Sequence, residues 1–294
     1  MSVPDTHTSV NAMTATELVY NPYAFAIHDD PYETYRRLRD EAPAYWNPDL
    51  SFWVLSRFED VQNAFKDFDT FSSTGGVALE SRRRRDAGRM EFQQMIEMDP
   101  PDHTSFRKLV NRIFTGRRVA AMEDDIRNIF NGYLDQIVER GEADLVEEVT
   151  SPFPMDVISA FLDIPEGDRA QLRSYSDTIL IREDGKMELP QVAAEGMFAM
   201  LQYFIDDLPK RRKNPRNGII DDLLTLEVDG RSLTEEELLG FCILFVIAGH
   251  ETTTKMVANA IDLLSRHPDQ KRDLAHNLDP VSYTHLTLPT KRIV

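Results

Sequence analysis

The stretch from Gly240 to Lys255, GFCILFVIAGHETTTK, begins apolar and turns abruptly small and polar. A purely structural helix gains nothing from that break, because Gly costs about 1 kcal/mol against Ala in a helix interior and Thr is a mediocre helix former. Ala248 and Thr252 are four residues apart, and Gly249, Thr252 and Met256 follow a three-then-four spacing, so a helix would set them on one face. Small side chains there leave a shallow dent where a flat group can approach the backbone. The Thr252 hydroxyl can bond the carbonyl of residue 248 or turn outward to a ligand. Glu251, next in sequence, can exchange protons. A second reading stays open: the small residues let another helix pack closely, and the threonines bond back to their own helix.

Two competing chemistries fail on residue type. His250-Glu251 begins the zinc-protease pattern H-E-x-x-H, but the second ligand position holds Thr254, which cannot replace an imidazole. Cys242, the only cysteine, lies two turns upstream in the apolar run with no base identifiable nearby, a setting in which a thiol usually serves packing.

The elements that would position these residues are mostly helical. Thr234-Glu-Glu-Glu237 is a capping-box sequence and His267-Pro268 a stop, which predicts a helix from 234 to about 266. At 1.5 Å per residue it would run roughly 50 Å, enough to cross a domain. Asp30-Pro31 opens an earlier helix that stops before Pro43, and the aromatic, β-branched segment 44 to 57, turning at Asn47-Pro48-Asp49, reads as a hairpin. Further helices are expected over 59–66, 101–114, 117–139, 154–163, 166–180 and 190–212. The fold class is mainly α with a small β-sheet portion.

Composition narrows the partners. The 294-residue chain is 41% hydrophobic, ample for a core, and its net charge of −17 disfavours nucleic acid and anionic membrane. The basic runs at Arg82 to Arg85 and Lys210 to Lys213 then read as solvated loops. No apolar run approaches the roughly 18 residues of a membrane span, and the N-terminus has no secretory pattern. A single cysteine fits a reducing compartment, so a cytoplasmic protein with no membrane and no nucleic-acid partner is expected.

AGHETTT inside a long helix ending LLSRHPDQ resembles the central distal helix of the cytochrome P450 family. DPYETYRRLRDEAP (30–43), FWVLSRFEDVQNAFKDFDTFSS (52–73), MDPPDHTSFRKLVNRIFTGRRV (98–119) and LTEEELLGFCILFVIAGHETTT (233–254) resemble the soluble bacterial members in the same order. The resemblance implies a cytochrome P450-like helical fold, incomplete at the C-terminus, and haem b with its iron lying flat against the dent at Ala248 and Gly249. It implies that Thr252 hydrogen-bonds dioxygen during oxygen activation while Glu251 relays protons. It also implies that His103 and Arg107, one helical turn apart, bind a haem propionate. Gly116 departs from the proline that many relatives carry before the Arg-Arg pair.

The axial cysteine of the family and its preceding Glu-x-x-Arg helix are not in this chain. Glu33 to Arg36 and Glu80 to Arg83 match the second pattern only in spacing and stand too early. By resemblance, residues 17–279 are the N-terminal two-thirds of a single cytochrome P450 domain, residues 1–16 a flexible N-terminus, and 280–294 a non-native tail. Its segment VSYTHLTLPT resembles translated sequencing adapter. The implied activity of the complete protein is a haem-thiolate monooxygenase acting on a small organic substrate. A ferredoxin-type donor and its NAD(P)H-dependent reductase would supply electrons, and this fragment alone would be inactive. The alternative is a non-catalytic helical binding module or pseudo-enzyme on the same scaffold.

Overall fold

The computed structural model describes residues 17–81, 94–216, 218–228 and 230–277. The expectations for Arg82 to Arg85, for Glu80 to Arg83 as a pattern, for the N-terminal 16 residues and for the tail fall wholly or partly outside the described residues. The chain divides into two units, residues up to 62 with 184–186, and residues 63–183 with 187 onward.

In the first unit, α1 (Phe25–Asp29) and α2 (Tyr32–Glu41) precede a hairpin of β1 (Ala44–Asn47) and β2 (Phe52–Leu55). The strands pair antiparallel from Ala44↔Leu55 to Asn47↔Phe52. Asn47 explains the turn: its buried side chain accepts from Leu50 N at 2.8 Å and donates to the Tyr20 carbonyl at 2.8 Å, so it serves as both turn and anchor. Trp46 and Trp53 face each other across the strands with ring centroids 5.2 Å apart, a cross-strand aromatic pair that fixes the register.

The boundary between the units falls within α3 (Phe58–Lys66). The second unit contains α4 (Asp102–Ile113), α5 (Gly116–Ala120), α6 (Glu123–Val138), a π turn (Val146–Thr150), α7 (Pro152–Leu162) and α8 (Glu166–Ile179). It continues with α9 (Gln191–Lys213), α10 (Ile219–Thr225), α11 (Glu235–Arg266) and α12 (Pro268–His276). The helix expected over 117–139 is two, because the chain turns at Ala121-Met122 and the acidic run Glu123, Asp124, Asp125 suits a fresh N-terminus. Pro268, expected only as a stop, also opens α12 at its first turn, where a missing N–H costs nothing. Helix α10 had no apolar period long enough to announce it. It is set by Asp221, whose carboxylate accepts from the backbone N–H of Gly218 at 3.0 Å and of Arg216 at 3.1 Å.

Helix α9 packs along α8, and α7 along α11, around a core that includes Phe106, Met155, Leu162, Met200, Phe204 and Ile243. A cluster of charged groups lies at its edge. Arg211 is fully buried, with Nε 2.5 Å from Asp207 and Nη2 donating to the Asp163 carbonyl at 3.0 Å. Arg216 reaches the second oxygen of Asp207 at 2.9 Å, and Asp221 lies 3.7 Å from Arg211. Two guanidinium groups thus meet two carboxylates, the balance a low-dielectric site requires.

Two more expectations need correction: the run Lys210 to Lys213, expected as solvated loop, is the end of α9 with Arg211 buried, and the search for a membrane-length apolar run passes over α11. Among the described residues, α11 is long and apolar enough, by length and composition, to cross a membrane. The uncharged Gly and Thr of its polar break hardly lower the average, which is why scanning for an unbroken apolar run misses it. The core helix of a globular protein meets the same criterion, and Leu238, Phe241, Cys242, Ile243 and Val246 of α11 are buried against protein.

Candidate functional site

Helix α11 begins where the capping box requires: Thr234 Oγ1 accepts from Glu237 N at 3.2 Å, and Glu237 Oε2 accepts from Thr234 N at 2.9 Å. Its first half is core. From Ala248 onward it changes character, with Ala248, Thr252, Lys255 and Met256 exposed on one side, Glu251 half-buried, and His250 buried on the other. The close-packing reading holds at Gly249, while Ala248 and Thr252 are left exposed. Ala248 and Thr252 form an open step on the exposed side. Gly249 does not join it: a Cβ built there would lie 2.7 Å from Ile158 Cδ1 and 3.1 Å from Cγ1, so the space the glycine leaves is filled by α7. The threonines bond back, Thr252 Oγ1 to the Ala248 carbonyl and Thr254 Oγ1 to the His250 carbonyl at 3.0 Å. That satisfies their hydroxyls without breaking the helix.

Glu251 pairs with Lys255 at 2.5 Å, one turn on. The four-residue spacing made this pair readable from the sequence. His250, weighed there only as a metal ligand, has a different role. Its Nε2 lies 3.1 Å from the Ser151 carbonyl and its Nδ1 3.2 Å from Ser176 Oγ, with Asp177 Oδ1 at 3.7 Å. Burial lowers the pKa of its imidazole, against the opposing pull of Asp177, while burial raises that of the Asp177 carboxyl.

The second cluster is on α4. Phe106, Leu109, Val110 and Ile113 bury one face, and the spacing turns His103 and Arg107 to the other. With Thr104, Lys108, Asn111 and Arg112 they line an open groove of about 440 Å³. Among the described residues no carboxylate lies within ion-pair distance of Arg107. The chain leading into α4 is tied down by Asp99, which accepts from Ser72 Oγ at 2.5 Å and Ser73 N at 2.9 Å. Those bonds, the Ser72 hydroxyl first, hold its carboxyl below the usual carboxylate range. The turn Met95–Glu97 and helix α10 each pack on both α4 and α11, which ties the two clusters together.

The sequence profile described as Cytochrome P450 matches residues 187–290. Cytochrome P450 123 of Mycobacterium tuberculosis is 40% identical over 255 residues, which cover 86% of this chain and 63% of that protein. The chain belongs to the cytochrome P450 family. The Vitamin D(3) 25-hydroxylase of Pseudonocardia autotrophica is 34% identical over 86% of the chain and 62% of its own length. Among solved structures, cytochrome P450 CYP109Q5 from Chondromyces apiculatus superposes with a TM-score of 0.73 at 30% identity, covering 88% of this chain and 64% of that one. The fold is therefore the family's helical one with a small sheet, and the chain spans less than two thirds of the length of these relatives.

The family's cofactor is haem held by a cysteine thiolate. The residues present fit one side of that group. The open Ala248–Thr252 step leaves room for a flat macrocycle, and Arg107, with no carboxylate partner among the described residues, suits its carboxylates beside His103. Cys242 does not fit the iron: it is fully buried in the core, and burial drives its pKa far up, so the thiol stays protonated.

Proposed function

We propose that this chain carries the oxygen-side helix and the propionate-binding helix of a haem-thiolate monooxygenase, which in its complete form inserts one oxygen atom from dioxygen into a small organic substrate. Haem bound through a thiolate supplies the reductive activation of dioxygen. The observation that carries the reading is the exposed Ala248–Thr252 step beside Glu251 on a single helix.

Each residue has a definable task. Ala248, with only a methyl group, keeps the step shallow. Thr252 has one hydroxyl proton, now given to the Ala248 carbonyl, and its lone pairs remain free to accept. A turn about its side chain transfers that proton's hydrogen bond from the carbonyl to dioxygen. Glu251 is half-buried and tied to the exposed Lys255, so it can pick up a proton at the solvent edge and release it beside Thr252. Arg107 and His103 would hold the propionates through charge-assisted hydrogen bonds. Gly249 serves the same end indirectly, by letting α7 seat against α11.

The vitamin D hydroxylase relative supports an apolar substrate. By family, electrons come from a ferredoxin-type donor and its NAD(P)H-dependent reductase, and the protein is cytoplasmic. The test is isotopic: with labelled dioxygen, the full-length protein should place a single labelled oxygen atom in its product. Label arriving from water, or no oxygen consumption with any apolar substrate and a competent redox chain, would return the scaffold to a binding role.

A further inference from the structure

Among the described residues, His250 is a buried titratable group beside the oxygen step that the mechanism above leaves unused. It joins three elements: its own α11, the start of α7 through the Ser151 carbonyl, and α8 through Ser176, itself fully buried. A carbonyl oxygen can only accept, so Nε2 must bear the hydrogen, and Nδ1 of the neutral ring then accepts from the Ser176 hydroxyl. The charged and titratable groups that face it are Asp177 and Arg173 from α8 and Glu251 from α11. An apolar ring would fill the same space without the cost of burying two polar nitrogens. What the imidazole adds is direction, since two bonds to two different elements fix the rotation of α11 about its axis. Glu251 and Thr252 are the next two residues, and a rotational slip would carry both away from their stations.

We propose that His250 is a positioning residue for the Glu251–Thr252 pair, locking the rotation of α11 through the Ser151 carbonyl and the Ser176 hydroxyl. The proposal rests on the reading that those two residues serve dioxygen, and its test separates the two. The first arm needs no activity. Isotope-edited NMR of the histidine ring nitrogens in this chain should find His250 as the neutral Nε2–H tautomer, still neutral just below the ordinary histidine pKa of 6.5. An Nδ1–H tautomer, or a doubly protonated ring at that pH, would overturn the proposal.

The second arm uses the full-length, haem-loaded protein. His250→Leu should raise the share of electrons lost as hydrogen peroxide by roughly threefold or more while the reduced carbon monoxide spectrum is unchanged, because small displacements of positioned groups are costly. His250→Gln, which can donate and accept at similar reach, should bring that share back to within about twofold of the parent. If His250→Leu lowers only the melting temperature and leaves coupling intact, the histidine is packing and the proposal fails. If His250→Leu does not fold, the tautomer and the coupling of His250→Gln still decide. Thr252→Ala serves as the control: should it leave coupling unchanged, the oxygen role of Thr252 fails by itself, whatever the tautomer shows.

Discussion

Replacing Gly249 with alanine tests how α7 and α11 are fitted together. The new Cβ would stand 2.7 Å from Ile158 Cδ1 and 3.1 Å from Cγ1, up to about 1 Å inside ordinary carbon contact. Ile158 is only 6% exposed and belongs to the core cluster, so it cannot swing into solvent. The strain must be met by an off-rotamer side chain or by parting the helices, a cost of about 1–3 kcal/mol. Alanine returns about 1 kcal/mol in helix propensity, which leaves a net loss of about 1 kcal/mol and a fall in melting temperature of about 2–4 °C for a chain of this size. Ile158→Val removes the offending Cδ1 at its own cost of about 0.5–1.5 kcal/mol, and in that background the glycine replacement should be neutral or favourable. Denaturant melts of the four proteins should thus give a coupling of about 1 kcal/mol. The same penalty in both backgrounds, or a gain in the parent, would refute the fit of Ile158 into the glycine notch.

Arg211→Met would leave Asp207 and Asp221 buried without their central partner and should cost about 3–5 kcal/mol by chemical denaturation, whereas Arg36→Met on the exposed face of α2 should leave the denaturation midpoint nearly unchanged. Stability should also fall in mild acid. The imidazole of His250 has a lowered pKa in the fold, so the unfolded chain binds the proton more readily; this contribution is complete above the ordinary histidine pKa of 6.5 and is lost as pH falls below it. The slope cannot exceed about 1.4 kcal/mol per pH unit for one proton. Asp177, raised, acts with opposite sign and only in the more acidic range above 3.8. Melts from pH 7.5 to about 5.5 should show the decline in the parent and a flatter line in His250→Gln; equal slopes would remove His250 as the cause.

Much of this was legible in the sequence because local chemistry decided it. The capping box at Thr234 and Glu237 starts α11 without help from neighbours, and Asn47-Pro48-Asp49 turns the hairpin. The His103 and Arg107 pair needed only helical spacing beside a buried Phe106 and Leu109. Where a residue's role depends on what packs against it, spacing was silent. Gly249 and Ala248 look alike on a helical wheel, and only Ile158 tells them apart. His250 was invisible as a structural pin, since Ser151 and Ser176 are 99 and 74 residues away in sequence. The buried Arg211 likewise sits in a run, Lys210 to Lys213, that by charge alone reads as solvated loop; it is the end of α9.

In the proposed function, the α11 hydroxyl at position 252 faces dioxygen. The measurement that tests it most directly is the partition of reducing equivalents between product and hydrogen peroxide in the full-length protein carrying Thr252→Ala. Haem content and substrate affinity should be unchanged and dioxygen still consumed, with most electrons diverted to peroxide and Thr252→Ser recovering much of the product. Parent-like coupling in Thr252→Ala would contradict it and leave the threonine as a hydroxyl that only bonds its own helix.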